Sequence, residues 1–330
     1  MAYTKGLHQI GDGTWAYLTP DGGWGASNAG LVRDGEASLL VDTLFDLTLT
    51  REMLADMQRL SEAPMRFDIL VNTHADGDHT YGNQLVGEAR IISSEATRAE
   101  FSKVPPEFLH KVVTEPDLFG EGGRYVARWM GPDRFDFTDI RLTPPTETFE
   151  REMSLKVGDK SVRLFNVGPA HTAGDTLVHV VEDRVLYTGD LLFLGVHPAI
   201  WDGSFQGWLD ACDTILELDV DTVVPGHGNV TDKAGVRLYR DYMTTLRSET
   251  QARFDAGMGV LEAALDLSLG DRFSDWISPE RTAGSVNFLY REFGSPDATD
   301  NQMEILTLIG RYATLREQAC ADGRCGHDHH

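Results

Sequence analysis

Apolar and polar positions alternate in short bursts through the first forty residues. Residues 14–18, 29–32 and 38–41 are β-type runs separated by Asp-Gly and Gly-Gly pairs, a pattern that predicts strands joined by hairpins. Asp42 closes the third run, and a helix is expected over about 46–60. A compact apolar run at 67–71 reads as a buried strand. A helix opening near Asp78, a short strand at 89–92 and a helix from about Ser94 follow. Residues 104–150 break the rhythm with prolines, paired glycines and an aromatic cluster that includes Tyr125, Trp129, Phe135 and Phe137. A stretch this long and irregular predicts either a functional loop or insertion, or a structural cover over the core. The β pattern resumes at 153–157, 161–167, 176–181 and 185–188, then a helix at 205–217 and a strand at 222–224. From 232 onward only helices are expected, at 232–254, 256–268, 279–293 and 300–318. Strands and helices mixed twice over, then helices alone, point to two sheets with helices outside and a C-terminal helical extension.

Composition narrows the function classes. The chain has 330 residues, 41% hydrophobic and 25% charged, a globular balance with ample material for a core. Acidic residues outnumber basic ones by 52 to 29, and a net charge of −23 repels phosphate backbones, which excludes nucleic acid as the expected partner. No stretch reaches the roughly 18–20 uninterrupted apolar residues of a membrane helix. The first residues lack the apolar core of a secretory signal, so a cytoplasmic protein is expected. The cysteines, Cys212, Cys320 and Cys325, are few and without framework spacing, which predicts a reducing compartment and no structural disulfide. Cys212 falls in an amphipathic helical pattern and reads as a small core residue.

Chemistry collects at strand ends. His74, Asp76, Asp78 and His79 follow the run at 67–71 within six residues. His171 follows the run at 161–167, Asp190 the run at 185–188, and His227 the strand at 222–224. Each is flanked by glycine, proline or another small residue, which lets the backbone pass close to a buried site. Of eleven histidines, three lie in the tail, and four of the other eight share this setting beside three aspartates. A single histidine is more often structural; four in one setting, with carboxylates, point to metal binding. No Ser-His-Asp or Cys-His arrangement competes. No phosphate loop or dinucleotide fingerprint is present, so no organic cofactor is expected.

Asp42, the 74–79 segment, His171, Asp190 and His227 occur in an order and context similar to the metallo-β-lactamase superfamily, over residues 7–240. The resemblance implies a four-layer αββα sandwich with one or two metal ions at one edge between the sheets. It departs from the family at one position. The first motif normally reads His-x-His-x-Asp-His, whereas Asp76 stands here in place of the second histidine. Residues two apart in an extended segment face the same way, so His74 and Asp76 are expected to share one metal with His171. Asp78 and His79 would turn towards a second with His227, and Asp190 would bridge the two. A carboxylate in place of an imidazole makes the first site harder and more anionic. Zinc is expected, with iron or manganese as alternatives; Asp76 could instead accept a hydrogen bond, leaving the first site weak or empty.

The resemblance also implies hydrolysis by a metal-activated water of an ester, thioester, lactone or amide-type bond in a small molecule. Asp78 is the candidate for orienting that water or moving its proton. His197 is the candidate donor to an oxyanion or leaving group, the alternative being a surface histidine, and Trp201 and Tyr81 could line the pocket. An iron-dependent oxidoreductase of the dioxygenase or diiron type on the same fold is the alternative activity, motivated by Asp76, and a non-catalytic metal-binding protein is the third reading. The expected organisation is a metallo-β-lactamase-like domain at 1–240 carrying the insertion at 104–150, and helices packed on it at 241–318. Those helices, with Trp276 and residues 288–290, would cover the pocket or form a homodimer interface. The Cys/His tail at 319–330 reads as disordered, or as able to bind metal.

Overall fold

The computed structural model describes residues 3–20 and 23–322. They fall into two compact units. Unit 1 comprises Met1–His110, Phe135–Leu194 and Gly203–Tyr239, and unit 2 comprises Lys111–Arg134, Gly195–Asp202 and Arg240–His330.

Unit 1 holds two main sheets. In the first, β1 (Gly6–Gly11), β2 (Thr14–Leu18), β3 (Ala29–Asp34) and β4 (Ala37–Val41) run antiparallel in chain order. Helix α1 (Leu47–Gln58) then leads to β5 (Ile69–Val71), which pairs parallel to β4. The one-turn helix α2 (Gly77–Thr80) precedes β6 (Arg90–Ser94). Helices α3 (Glu95–Glu100), α4 (Pro106–Thr114) and α5 (Gly120–Met130) separate it from β7 (Glu147–Phe149), which closes the sheet in parallel. The second sheet has the order β13-β11-β10-β9-β8. Its members are β8 (Glu152–Val157), β9 (Lys160–Asn166), β10 (Thr176–Val180), β11 (Val185–Tyr187) and, beyond α6 (Phe205–Glu217), β13 (Thr222–Val224). A short parallel pair joins β12 (Phe193–Leu194) to β14 (His227–Gly228).

The period of two along each strand sorts the core. Ala16 and Leu18, Leu39 and Val41, and Ile69 and Val71 share one cluster with Val162, Leu164, Val178 and Val185 of the second sheet. The intervening Tyr17, Leu40 and Leu70 join Met53 and Met57 of α1 in another. Alternate side chains point to opposite faces, so the first sheet is covered by the second sheet on one face and by α1 on the other. Each fully buried Leu or Val contributes about 1.5–3 kcal/mol. Gly30 is bare because the Tyr187 ring of the second sheet lies where its Cβ would stand, and the Tyr187 hydroxyl donates to Trp15 O at 2.7 Å. Asp46, Ser94 and Ser204 cap α1, α3 and α6 through their side chains.

Unit 2 is helical. In α9 (Arg281–Glu292) every residue from Arg281 to Tyr290 is buried, and α8 (Val260–Asp266) and α10 (Gln302–Ala321) pack on it. The division between the units falls within α7 (Lys233–Asp255). Residues 104–150, irregular by sequence, contain α4 and α5. Gly122 and Gly123 hide the helical pattern of α5 for a packing reason: a Cβ on Gly122 would come within 2.7 Å of Met303 O in α10. One expectation is corrected outright, because Cys320 is disulfide-bonded. Among the described residues the free cysteine is Cys212, buried in α6. Cys325, His327, His329 and His330 lie outside the described residues. Among the described residues, no helix is long and apolar enough to cross a membrane.

Candidate metal centre

Seven side chains predicted from sequence meet in unit 1. Three groups of ligand atoms lie within 4.8 Å of one another: His74, Asp76 and His171; His74, His79 and Asp190; and Asp78, His79 and His227. Each comes from just beyond a strand of one of the two sheets. His74 and Asp76 follow β5, with Asp78 and His79 in α2. His171 stands on the loop between β9 and β10, Asp190 follows β11, and His227 opens β14 after β13.

Asp190 is the hub. Its Oδ2 lies 3.2 Å from His227 Nε2, 3.6 Å from His171 Nε2 and 3.9 Å from His74 Nε2, while Oδ1 is 3.0 Å from His79 Nε2. Asp76 Oδ2 lies 3.3 Å from His171 Nε2 and 3.8 Å from His74 Nε2. Asp78 Oδ2 lies 3.4 Å from His227 Nε2 and 3.9 Å from His79 Nε2. Ligand atoms about 2.0–2.2 Å from one tetrahedral ion stand roughly 3.3–3.6 Å apart, so this spacing fits a shared cation. His74 Nε2 and His79 Nε2 are buried without a hydrogen-bond partner, although His79 Nε2 approaches Asp190 so closely. Buried polar atoms left in this way point to an ion as the partner.

Protonation supports the same fit. Burial is the largest influence on every imidazole here and disfavours its charged form. Burial, with His79 nearby, lowers His74 to about 3. His171 goes the other way, to about 9, because the hydrogen bond to Asp76 and the charge of Asp190 outweigh burial. His79 and His227 are also raised against burial, chiefly by Asp190. Burial favours the neutral forms of Asp190 and Asp78, but His227 and His79 hold both below the usual carboxylate range. Without a metal, the carboxylates raise the proton affinity of three of the four histidines. A divalent cation is the natural replacement for that charge.

The histidines are oriented by two different means. Asp42 Oδ2 accepts from His79 Nδ1 at 2.9 Å, and Thr73 Oγ1 lies 3.0 Å from His74 Nδ1. Asp42 is fixed in turn by Thr73, whose backbone N and Oγ1 each donate at 2.7 Å. His227 stacks on Phe193, its register partner across β12–β14, with centroids 4.9 Å apart and an interplanar angle of 2°. His171 meets Trp208 edge-on at 5.2 Å. Sequence reasoning missed Thr73, Phe193, Trp208 and Asp175. Asp175 accepts from the backbone of Ala170 and Thr172 and from Thr172 Oγ1, which folds the loop under His171. The Asp four residues after His171 was the available signal; the aromatic partners had none.

His197 lies in unit 2 and in none of the three ligand groups. It is buried, with Nδ1 2.8 Å from the Tyr242 hydroxyl, its carbonyl accepting from Arg281 and its ring edge-on to Trp276. Burial, then Arg281, lowers it to about 3. Trp201 is also in unit 2, where its carbonyl accepts from Arg291. Tyr81 is buried with its hydroxyl donated to Val104 O, and its ring occupies the space beside Gly77.

Comparison with known proteins agrees with the geometry. A family model described as the metallo-beta-lactamase superfamily matches residues 22–227, more than half of the chain. The acyl-coenzyme A thioesterase MBLAC2 of Gallus gallus is 25% identical over 65% of this chain and 76% of its own length. The linear primary-alkylsulfatase of a Pseudomonas strain is 21% identical over 80% of this chain, which spans about half (52%) of that protein. Among solved structures, the inverting sec-alkylsulfatase Pisa1 from Pseudomonas superposes with a TM-score of 0.66 at 14% identity, covering 90% of this chain and 51% of that one. A metallo-beta-lactamase from Pontibacter korlensis gives 0.54 at 18% identity over 72% of this chain and 98% of its own. This chain belongs to the metallo-β-lactamase superfamily and is an enzyme of its metal-dependent hydrolase class.

Proposed function

We propose that this enzyme hydrolyses a thioester or ester bond in a small molecule with two divalent cations, zinc foremost. His74, Asp76 and His171 would hold one, Asp78, His79 and His227 the other, with Asp190 between them. The observation that carries the reading is Asp190, a buried carboxylate within 3.0–3.9 Å of all four imidazoles. Cations bound there supply a water acidified to near neutrality and a partner for the oxygen that gains charge. The chain's own residues set what that water meets. Asp78, 15% exposed, faces both His79 and His227, and its carboxylate orients the water and accepts its proton. Asp76 is the most open of the seven at 32% exposure, so the substrate approaches on its side. The thioesterase relatives favour a thioester.

The test uses protein purified without added zinc, with its metal counted, against acyl thioesters, esters, lactones, amides and a primary alkyl sulfate. Chelation should abolish thioester or ester turnover and re-added metal should restore it. His171→Ala and Asp190→Ala should each lower metal content and cut turnover more than about 100-fold while the chain stays folded. Full activity in either variant refutes the assignment. Asp76 favours one other reading, since a carboxylate there suits iron. Iron as the retained metal, with oxygen uptake in the presence of reductant and no hydrolysis, would replace the hydrolase by an oxidoreductase.

A further inference from the structure

A cavity of about 610 Å³ in unit 1 lies between the start of α1, α4 and the segment 137–141. Its floor is apolar, made by the buried Leu47, Phe137 and Ile140. Two arginines line it from different elements, Arg51 on α1 and Arg141 on the segment. Other arginines face carboxylates directly: Arg90, Arg128, Arg184 and Arg311 are paired with Glu147, Glu317, Asp219 and Glu121. Among the described residues, Arg51 and Arg141 make no ion pair and their guanidinium groups no hydrogen bond. The walls are pinned in place without them. Asp136 N donates to Asp46 Oδ2, and Gln84 accepts from Arg141 N and donates to Asp139 O. Phe137 packs edge-on against Phe45 and Tyr81. The same segments lead to the metal centre, because Phe45 follows Asp42 by three residues and Tyr81 follows His79 by two.

We propose that this cavity binds a phosphate-bearing, ring-containing group of the substrate, a nucleotide at the far end of the leaving thiol. The two guanidinium forks take the phosphate, which they match in geometry and charge. The floor of Leu47, Phe137 and Ile140 takes the ring. Glu107 and Asp139, also on the lining, accept from ring or sugar N–H and O–H groups. A bare anion would find the two carboxylates and nothing for the floor, so the lining favours the composite group. A net charge of −23 works against any phosphate at a distance, so recognition depends on these two residues at contact range.

This inference rests on the thioester reading, but its first test does not require turnover. Binding of adenosine 3′,5′-bisphosphate and of inorganic phosphate to the metal-loaded enzyme is measured by calorimetry for wild type, Arg51→Ala, Arg141→Ala and the double variant. Both side chains are exposed, so the variants should keep the wild-type circular dichroism and metal content. The nucleotide should bind wild type more tightly than phosphate does, and each substitution should weaken it by about tenfold. Equal affinity in the double variant overturns the proposal, as does inorganic phosphate binding as tightly as the nucleotide. A second test compares an acyl-coenzyme A with the same acyl group on N-acetylcysteamine, which lacks the nucleotide. The double variant should raise KM for the former about 100-fold with kcat unchanged, and leave the latter untouched. Equal losses on both thioesters would also overturn it. If the nucleotide binds as expected and no thioester is hydrolysed, the subsite stands and the thioesterase reading falls.

Discussion

Asp42 is held at a φ of 60°, in the left-handed region that non-glycine residues rarely adopt. Its carboxylate is buried, which raises its proton affinity, yet it accepts from Thr73 and His79. The tautomer follows: with Nδ1–H donated to Asp42, Nε2 of His79 is left as the atom facing Asp190 and Asp78. Asn tolerates the left-handed backbone and keeps the size, but its amide can turn an N–H towards His79 in place of an acceptor. Asp42→Asn should fold and should bind metal about 10–100-fold more weakly at the site of His79, with the other site less affected. Chelator competition with two resolved binding steps checks this, and equal weakening of both steps would show a general structural defect. The four histidines and three aspartates were legible in the sequence because each follows a strand in a run of small residues. Asp42 was visible as the end of a strand and as part of the family resemblance, but not as the partner of His79. Its bond to His79 spans 37 residues, and no local pattern encodes such a partner.

Elements decide how these residues arrive. The runs at 14–18, 205–217 and 222–224 coincide with Thr14–Leu18, Phe205–Glu217 and Thr222–Val224, because buried strands and an amphipathic helix carry their period in the sequence. β1 and β7 gave no such signal: one is a half-buried edge strand and the other only three residues long. Helix α5 was hidden by the glycines that its packing requires. Between β13 and β14 the chain turns through Pro225 and Gly226, and the lack of a side chain at 226 is what admits the metal centre. A Cβ on Gly226 would collide with Asp190 Oδ1 and with the backbone at Gly189. Gly226 N also donates to Gly189 O at 2.7 Å, which ties the two ligand-bearing turns together. Gly226→Ala should therefore displace Asp190 while both sheets persist. The expected result is loss of more than about 90% of bound metal, in the range of a 10–100-fold affinity change, with an unchanged far-ultraviolet spectrum. Wild-type metal content in this variant would show that Asp190 can move aside without consequence.

At the scale of the whole molecule, His197 of unit 2 stands apart from the raised imidazoles of unit 1, and pH reads the difference. In unit 1 the imidazoles His79, His171 and His227 are raised by carboxylates, whereas in unit 2 His197 is lowered to about 3 by burial and then by Arg281. The partners of His197 lie 45 and 84 residues away, which is why the sequence could suggest a reactive histidine but not a buried one. Folded chain keeps this imidazole neutral, while unfolded chain protonates it below about 6.5. Between pH 6.5 and 3 the unfolded state thus holds more protons at this site, and stability falls as pH falls through that window. Above 6.5 the site adds no slope. His197→Asn keeps a polar group for the Tyr242 hydroxyl but cannot titrate. Wild type should exceed the variant in stability most at pH 7.5, and the gap should narrow steadily at pH 6.0 and 5.0. Urea midpoints in the presence of chelator measure it, since the metal-centre histidines titrate in both proteins and cancel in the difference. A constant gap would mean that His197 takes up its proton in the folded chain, and that it is accessible enough to act as the donor first suggested by its place after Asp190.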